Sequence, residues 1–236
     1  MRATFLGLAL MAVAQSGHAQ LTVDKLWMDF EANSAGREDV LLRNESDRRY
    51  YISVEPAEIV NPGRENEERV EYQNPQDLGL LISPNRLVLE PGQFRALRIV
   101  SINEPLSKDR VYRIRVTPKI GAIEVDNAEG DERDANLVIL MAYDLLVVVR
   151  PEDAETNIES ERVDQTIVLR NTGNTNTLLI DGKACPKDGN ERECVSLPDT
   201  RLHAGASVAF DLPQPDAQVR FVSRERTNTQ PKQLEF

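Results

Sequence analysis

Histidine is nearly absent from this sequence, two in 236 residues, and cysteine is no commoner. There is one tryptophan, and aromatic residues make up only 5% of the chain. His18 falls in the N-terminal leader described below, so His203 is the one histidine left for chemistry. It sits in a loop beside Ala204-Gly205, where a solvated side chain is the ordinary expectation. No serine stands in a Gly-x-Ser-x-Gly elbow, and no glycine-rich phosphate loop leads into a helix. Paired carboxylates such as Glu67-Glu68 and Glu152-Asp153 lie in polar runs, as solvated loops do. No catalytic residue is expected; a carboxylate glycosidase assembled from distant residues is the enzymatic reading left open. Two cysteines without a neighbouring histidine do not make a zinc site, and no pattern calls for another metal or for a cofactor.

Positive charge is short as well. Twenty-eight Lys and Arg face thirty-nine Asp and Glu, for a net charge of −11. Nucleic acid and anionic lipid surfaces are therefore poor partners. No apolar run is long enough to span a bilayer. The N-terminal run, residues 3–14, follows Arg2 and gives way to small and polar residues ending in Gly17-His18-Ala19. That pattern is a secretory signal, residues 1–19, with cleavage expected before Gln20. The mature chain is then expected to be soluble, without membrane insertion, and more acidic by the loss of Arg2. In an exported protein Cys185 and Cys194, close in sequence, are expected to be bonded to each other.

Sustained helical periodicity is missing too. What is present is a series of short alternating segments. Leu26, Met28 and Phe30 share one face near the start. Strands follow at 38–44, 49–55, 80–82, 86–89, 94–102 and 111–116, with a shorter candidate at 69–72. Turn signals separate them, such as Asn61-Pro62-Gly63 and Pro91-Gly92. Asn44-Glu45-Ser46 also matches the glycosylation acceptor pattern, of consequence only in a eukaryotic host. After a short linker at 151–156, strand patterns recur at 164–170, 177–180, 195–197, 207–212 and 218–222. The fold class expected is all-β: two immunoglobulin-like β-sandwich domains, residues 20–150 and 151–236. The second is small for an independent core, which gives the disulfide a stabilising role.

Residues 137–149, LVILMAYDLLVVV, break the rule of alternation. Apart from Tyr143 and Asp144 every residue is apolar, and Arg150-Pro151 ends the run. An acidic segment without a strand pattern, residues 124–134, precedes it. A strand of an antiparallel sheet normally has one wet face. Here both faces need apolar partners. Either the strand is central and buried on both sides, or it offers one face and one edge to another protein.

The order of these segments resembles the periplasmic chaperones of the chaperone–usher pathway, which assemble pili. It is carried by the strand ending in Asn44, then Ser83-Pro84 with Leu87 to Leu89, then Glu90-Pro91-Gly92-Gln93. Leu97-Arg98-Ile99, Tyr112-Arg113-Ile114, the long apolar strand and Arg150-Pro151 complete it. Asn171-Thr172-Gly173-Asn174 with Cys185 and Cys194 are similar to the alternate, alpha-type (common-pilus) branch. The resemblance implies two sandwiches set in an L and a last strand of the first domain that completes an unfinished pilin subunit. The bound subunit is then handed to an outer-membrane usher. Placed by its Arg-Pro end, that strand donates Leu137, Ile139 and Met141, with Tyr143 continuing the same face. The better-known branch holds the subunit's terminal carboxylate with two basic residues. Those positions are Trp27 and Leu146 here, with Asp144 nearby, so that assignment does not carry over. Lys25, Arg113 and Arg115 are the substitutes on chemical grounds, since a guanidinium grips a carboxylate bidentately; solvated arginines on an exposed face are the plain alternative. The family's acidic residue after Asp-Arg is Val111, which leaves the interdomain contact of Arg150 without its usual partner. The competing reading is an exported structural or adhesive sandwich in which residues 137–149 are internal.

Overall fold

The computed structural model describes residues 21–31, 36–121, 139–187, 191–225 and 230–236. The expected signal segment, the acidic segment 124–134 and Leu137 lie outside the described residues. In chain order the first half supplies β1 (Leu21–Val23), β2 (Trp27–Phe30), β3 (Arg37–Asn44), β4 (Tyr50–Val60) and β5 (Glu68–Val70). One helical turn, Pro75–Leu78, precedes β6 (Leu80–Ser83), β7 (Arg86–Leu89), β8 (Phe94–Ser101), β9 (Arg110–Lys119) and β10 (Tyr143–Val149). They form two sheets, one ordered β1-β3-β8-β6 and the other β2-β10-β9-β4-β5, with β7 also on β4. Alternate residues of each sheet meet in the core: Val40, Leu42, Leu97 and Ile99 from one, Ile52, Val54, Ile114, Val116, Leu145 and Val147 from the other. The first strand is split between the sheets. The Asp24 carboxylate accepts the Leu41 N–H at 2.7 Å where the chain leaves β1, and β2 then runs parallel to β10.

The second half supplies β11 (Ile158–Val163), β12 (Thr166–Asn171), β13 (Thr177–Cys185), β14 (Val195–Leu197), β15 (Thr200–Leu202), β16 (Ser207–Asp211), β17 (Gln218–Arg224) and β18 (Lys232–Glu235). The sheets are β11-β12-β16 and β14-β13-β17-β18, with β15 also on β13. Ile167, Leu169, Leu179, Val219 and the tilted pair Phe210 and Phe221, 5.2 Å between ring centres, make its core. Cys185 and Cys194 are bonded, as expected, and tie the end of β13 to the entry of β14. The chain is thus a two-domain β-sandwich protein.

β3 in the first half and β12 in the second end with the same device. Asn44 is buried; its amide donates to the carbonyls of Arg48 and Leu89, and its oxygen accepts from Ser46. Asn171 is buried likewise, donating to the Thr175 and Leu202 carbonyls and accepting from Gly173. A glycine turn docks on each: the N–H of Gly92 donates to the Asn44 carbonyl, that of Gly205 to the Asn171 carbonyl. Both glycines sit at positive φ, 72° and 73°, where a side chain would strain the turn. Asn44 is therefore a structural corner; a buried amide with every bond used is no glycan acceptor.

Candidate functional site

The strand expected over 137–149 begins only at Tyr143. β10 pairs with β9 from Tyr143↔Val116 to Val149↔Arg110. Continued two residues, that register would place Met141 opposite Pro118, which has no N–H to give. The ladder stops there. The parity of the chain changes at the same place. Leu145, Val147 and Val149 belong to the core, and Tyr143 packs against it with its hydroxyl donating to the Leu21 carbonyl. Before it, Leu140 is the residue packed inward, while Ile139 and Met141 are 72% and 56% exposed. The expectation that Tyr143 shares a face with Ile139 and Met141 is therefore corrected: the chain turns over between Met141 and Tyr143.

One edge of this segment is open. β2 covers β10 only from Leu146 to Val149, with the Leu146 N–H donating to the Leu26 carbonyl at 2.9 Å. Residues 139–145 have no strand beside them on that side among the described residues. Two large apolar side chains and an unpaired backbone edge thus lie together. Such an edge is a template for another strand.

The far end of β10 leads into the junction between the sandwiches. Arg150 is 2% exposed and bonds Asp29 at 3.0 Å, the Thr175 hydroxyl and the Asn176 carbonyl at 3.3 Å. Its interdomain contact, left without a partner by Val111 in the sequence reading, is supplied by Asp29 of β2 from one side and by the second sandwich from the other. Asp109 adds a second link, accepting the N–H and amide of Asn176 at 2.7 and 2.6 Å. Burial raises the Asp29 carboxyl above its ordinary value, with Arg150 pulling the other way.

Beside this junction runs a cleft of about 470 Å³ between the two halves. Arg69, Arg113 and Leu146 line it from the first sandwich, Arg201 and His203 from the second. Arg113 lines this cleft, and its one side-chain hydrogen bond among the described residues is donated to the Asp144 carbonyl, at 3.5 Å. Arg115, two residues along the same face, is exposed and lies outside the cleft. Lys25 is committed elsewhere: it bonds Glu38 at 2.6 Å, and that carboxylate raises its pKa.

Arg201 and His203 were not anticipated. Arg201 stacks over Trp27, 4.4 Å from its centre, and donates to the Asn176 side chain at 2.6 Å. A guanidinium from the second sandwich thus lies over position 27. Burial lowers the Arg201 pKa, yet among the described residues neither it nor Arg113 forms a salt bridge. His203 is not a solvated loop residue. Its turn packs on the turn at Gly63, and burial, then Arg201, Arg113 and Arg150, push it down to about 4. Local sequence holds no signal for this, since the packing is between domains.

No family model matches the chain. It is 25% identical over 150 residues to a CFA/I fimbrial subunit of Escherichia coli, covering 61% of this chain and 60% of that protein's length. It is 24% identical over 202 residues to a CS1 fimbrial subunit of Escherichia coli, covering 83% and 80%. Among solved structures, the class 5 fimbriae chaperone CfaA superposes with a TM-score of 0.69 at 20% identity, over 92% of this chain and 97% of that one. A chain of the CsuC–CsuE chaperone–tip adhesion subunit pre-assembly complex of Acinetobacter baumannii superposes at 0.61 and 13% identity, over 92% and 98%. One from the Salmonella enterica SafA pilin–SafB chaperone complex gives 0.58 and 12%, over 94% and 99%. The fold of this chain is that of these two-domain sandwiches. No helix among the described residues is long and apolar enough to cross a membrane.

Proposed function

We propose that this chain is a periplasmic chaperone of the chaperone–usher type. It binds pilin subunits by donating a strand and delivers them to an outer-membrane usher. The observation that carries this reading is the pair Ile139 and Met141, exposed beside the unpaired edge of β10. A subunit lacking a strand would take up both edge and side chains; each fully buried apolar side chain stabilises the complex by about 1.5–3 kcal/mol. Leu137 belongs to the same donated set, whereas Tyr143 anchors the segment to its own sandwich. The cleft carrying Arg113 receives the subunit's terminal carboxylate, a role Lys25 and Arg115 are badly placed to share. Residues 1–19 act as the export signal, and residues 20–150 and 151–236 are the two domains. Cys185, Cys194 and the Asn171 turn favour the alternate branch of the family. The rival reading, an adhesive or structural sandwich, leaves the two exposed side chains without a use.

The test is co-expression in a periplasm with a fimbrial subunit encoded beside this chain. The expected result is a soluble one-to-one complex in place of degraded or aggregated subunit. A subunit equally soluble without this chain would refute the reading. A neighbouring usher gene is expected as well.

A further inference from the structure

The imidazole of His203 sits at the wall of the interdomain cleft, with Nδ1 buried and lacking a hydrogen-bond partner among the described residues. The acids around it are engaged. Glu58 is paired with Arg110 at 2.6 Å, Asp144 with Arg69 at 3.3 Å, and Asp109 with Asn176. Glu67 accepts the Gly63 N–H at 2.7 Å. Arg150, behind the cleft, is paired with Asp29; the cations in excess are Arg113 and Arg201 in the cleft and Arg64 and Lys108 in the adjoining pocket. The result is a neutral imidazole facing the guanidinium groups of Arg113 and Arg201, neither of which forms a salt bridge among the described residues, although Asp29 and Asp109 act on Arg201 from the junction.

We propose that His203 is a proton-coupled partner for a carboxylate docked in this cleft: the anion lies between Arg113 and Arg201, and the imidazole takes up a proton as it arrives. This rests on the cleft receiving a subunit's terminal carboxylate and adds that its grip tightens as pH falls. The physical cause is a change of sign in the local field. An anion in the cleft offsets the two arginines that help keep the ring neutral. An opposite charge at such range moves a midpoint by about 1–3 pH units. Further desolvation opposes this but is the smaller effect, because the ring is already mostly buried. His203 supplies the proton site; Arg113 and Arg201 supply the charge.

The chain suits a direct test, since His203 is its only histidine after residue 18 and Trp27, under Arg201, its only tryptophan. The probe is N-acetyl-phenylalanine, with its C-terminal amide as control, added up to tens of millimolar to the signal-free protein. NMR titration of the ring is expected to show its midpoint rising by at least one pH unit with the acid and unmoved by the amide. Binding followed by Trp27 fluorescence is expected to be flat above the raised midpoint and to strengthen below it, by up to about tenfold per unit as pH falls toward about 4.5, a range in which the probe stays mostly ionised. His203→Gln is expected to bind the acid with a flat pH profile, and Arg113→Ala to lose the midpoint rise. An unmoved midpoint, an equal effect of the amide, or no binding of the acid would overturn the proposal. No subunit enters this assay. Failed coupling with normal subunit capture therefore removes the proton step alone, and failed capture with a proton-linked cleft removes the chaperone reading alone.

Discussion

Replacing Ile139 by asparagine, set against Leu145→Ala, separates a donated side chain from a core one. Ile139 is 72% exposed in the free chain, so an asparagine there forfeits little that folding had gained. Its thermal midpoint is expected to stay near that of the parent. In a subunit groove the same change loses about 1–2 kcal/mol of apolar burial, scaled by the exposed fraction. It also places an amide without partners in an apolar site, which costs about 1–3 kcal/mol more. The sum, about 2–5 kcal/mol, weakens capture on the order of 30- to 5,000-fold. Leu145 is fully buried and belongs to the core, so truncation leaves a cavity costing about 2–5 kcal/mol of the chain's own stability. Melting followed by circular dichroism and co-purification with a subunit read the two effects independently. If Ile139→Asn lowers the melting temperature as far as Leu145→Ala does, the segment is ordinary core and the argument from the exposed edge fails.

Arg113→Ala is expected to impair capture while leaving the melting temperature nearly unchanged, because its described bond is a long one to a carbonyl; normal subunit yield would remove it as an anchor. Arg150→Ala, in contrast, leaves Asp29 buried without its cation and is expected to cost about 3–5 kcal/mol in denaturant titrations. Denaturing alkylation without reductant should add no label to Cys185 or Cys194, and two labels would contradict the bond. His203 sets an acid limit on stability. Its folded pKa of about 4 lies below the unfolded 6.5, so the unfolded chain binds the extra proton between those values. Stability is expected to fall as pH drops from about 6.5 through about 4, by roughly 3 kcal/mol in total. The raised Asp29 carboxyl acts in the opposite sense at lower pH, so the parent should be compared with His203→Gln, which lacks this share of the decline.

Period-two patterning was enough to expect an all-β chain of two sandwiches, because one face of most strands is wet and the sequence carries that alternation. The bonded cysteines followed from export and spacing. Three strands escaped notice: β11 and β18 are edge strands whose side chains are nearly all intermediate or exposed, so no apolar pattern marks them, and β15 is only three residues long with one buried side chain. Composition could say that residues 137–149 needed two apolar surroundings, but not where the chain would turn over. That depends on Pro118, 23 residues earlier in the sequence, which ends the ladder opposite Met141 and so frees Ile139 and Met141 while pinning Tyr143. The cleft was less legible still. Trp27 and Leu146 stand where cations were sought, and Arg201 reaches over Trp27 from a strand some 170 residues away. Local pattern records whether a side chain meets water within its own sheet; which charges face one another across two packed domains is decided by the domain junction, where Arg150, Asp29, Asp109 and Asn176 meet and the His203 turn packs on the turn at Gly63.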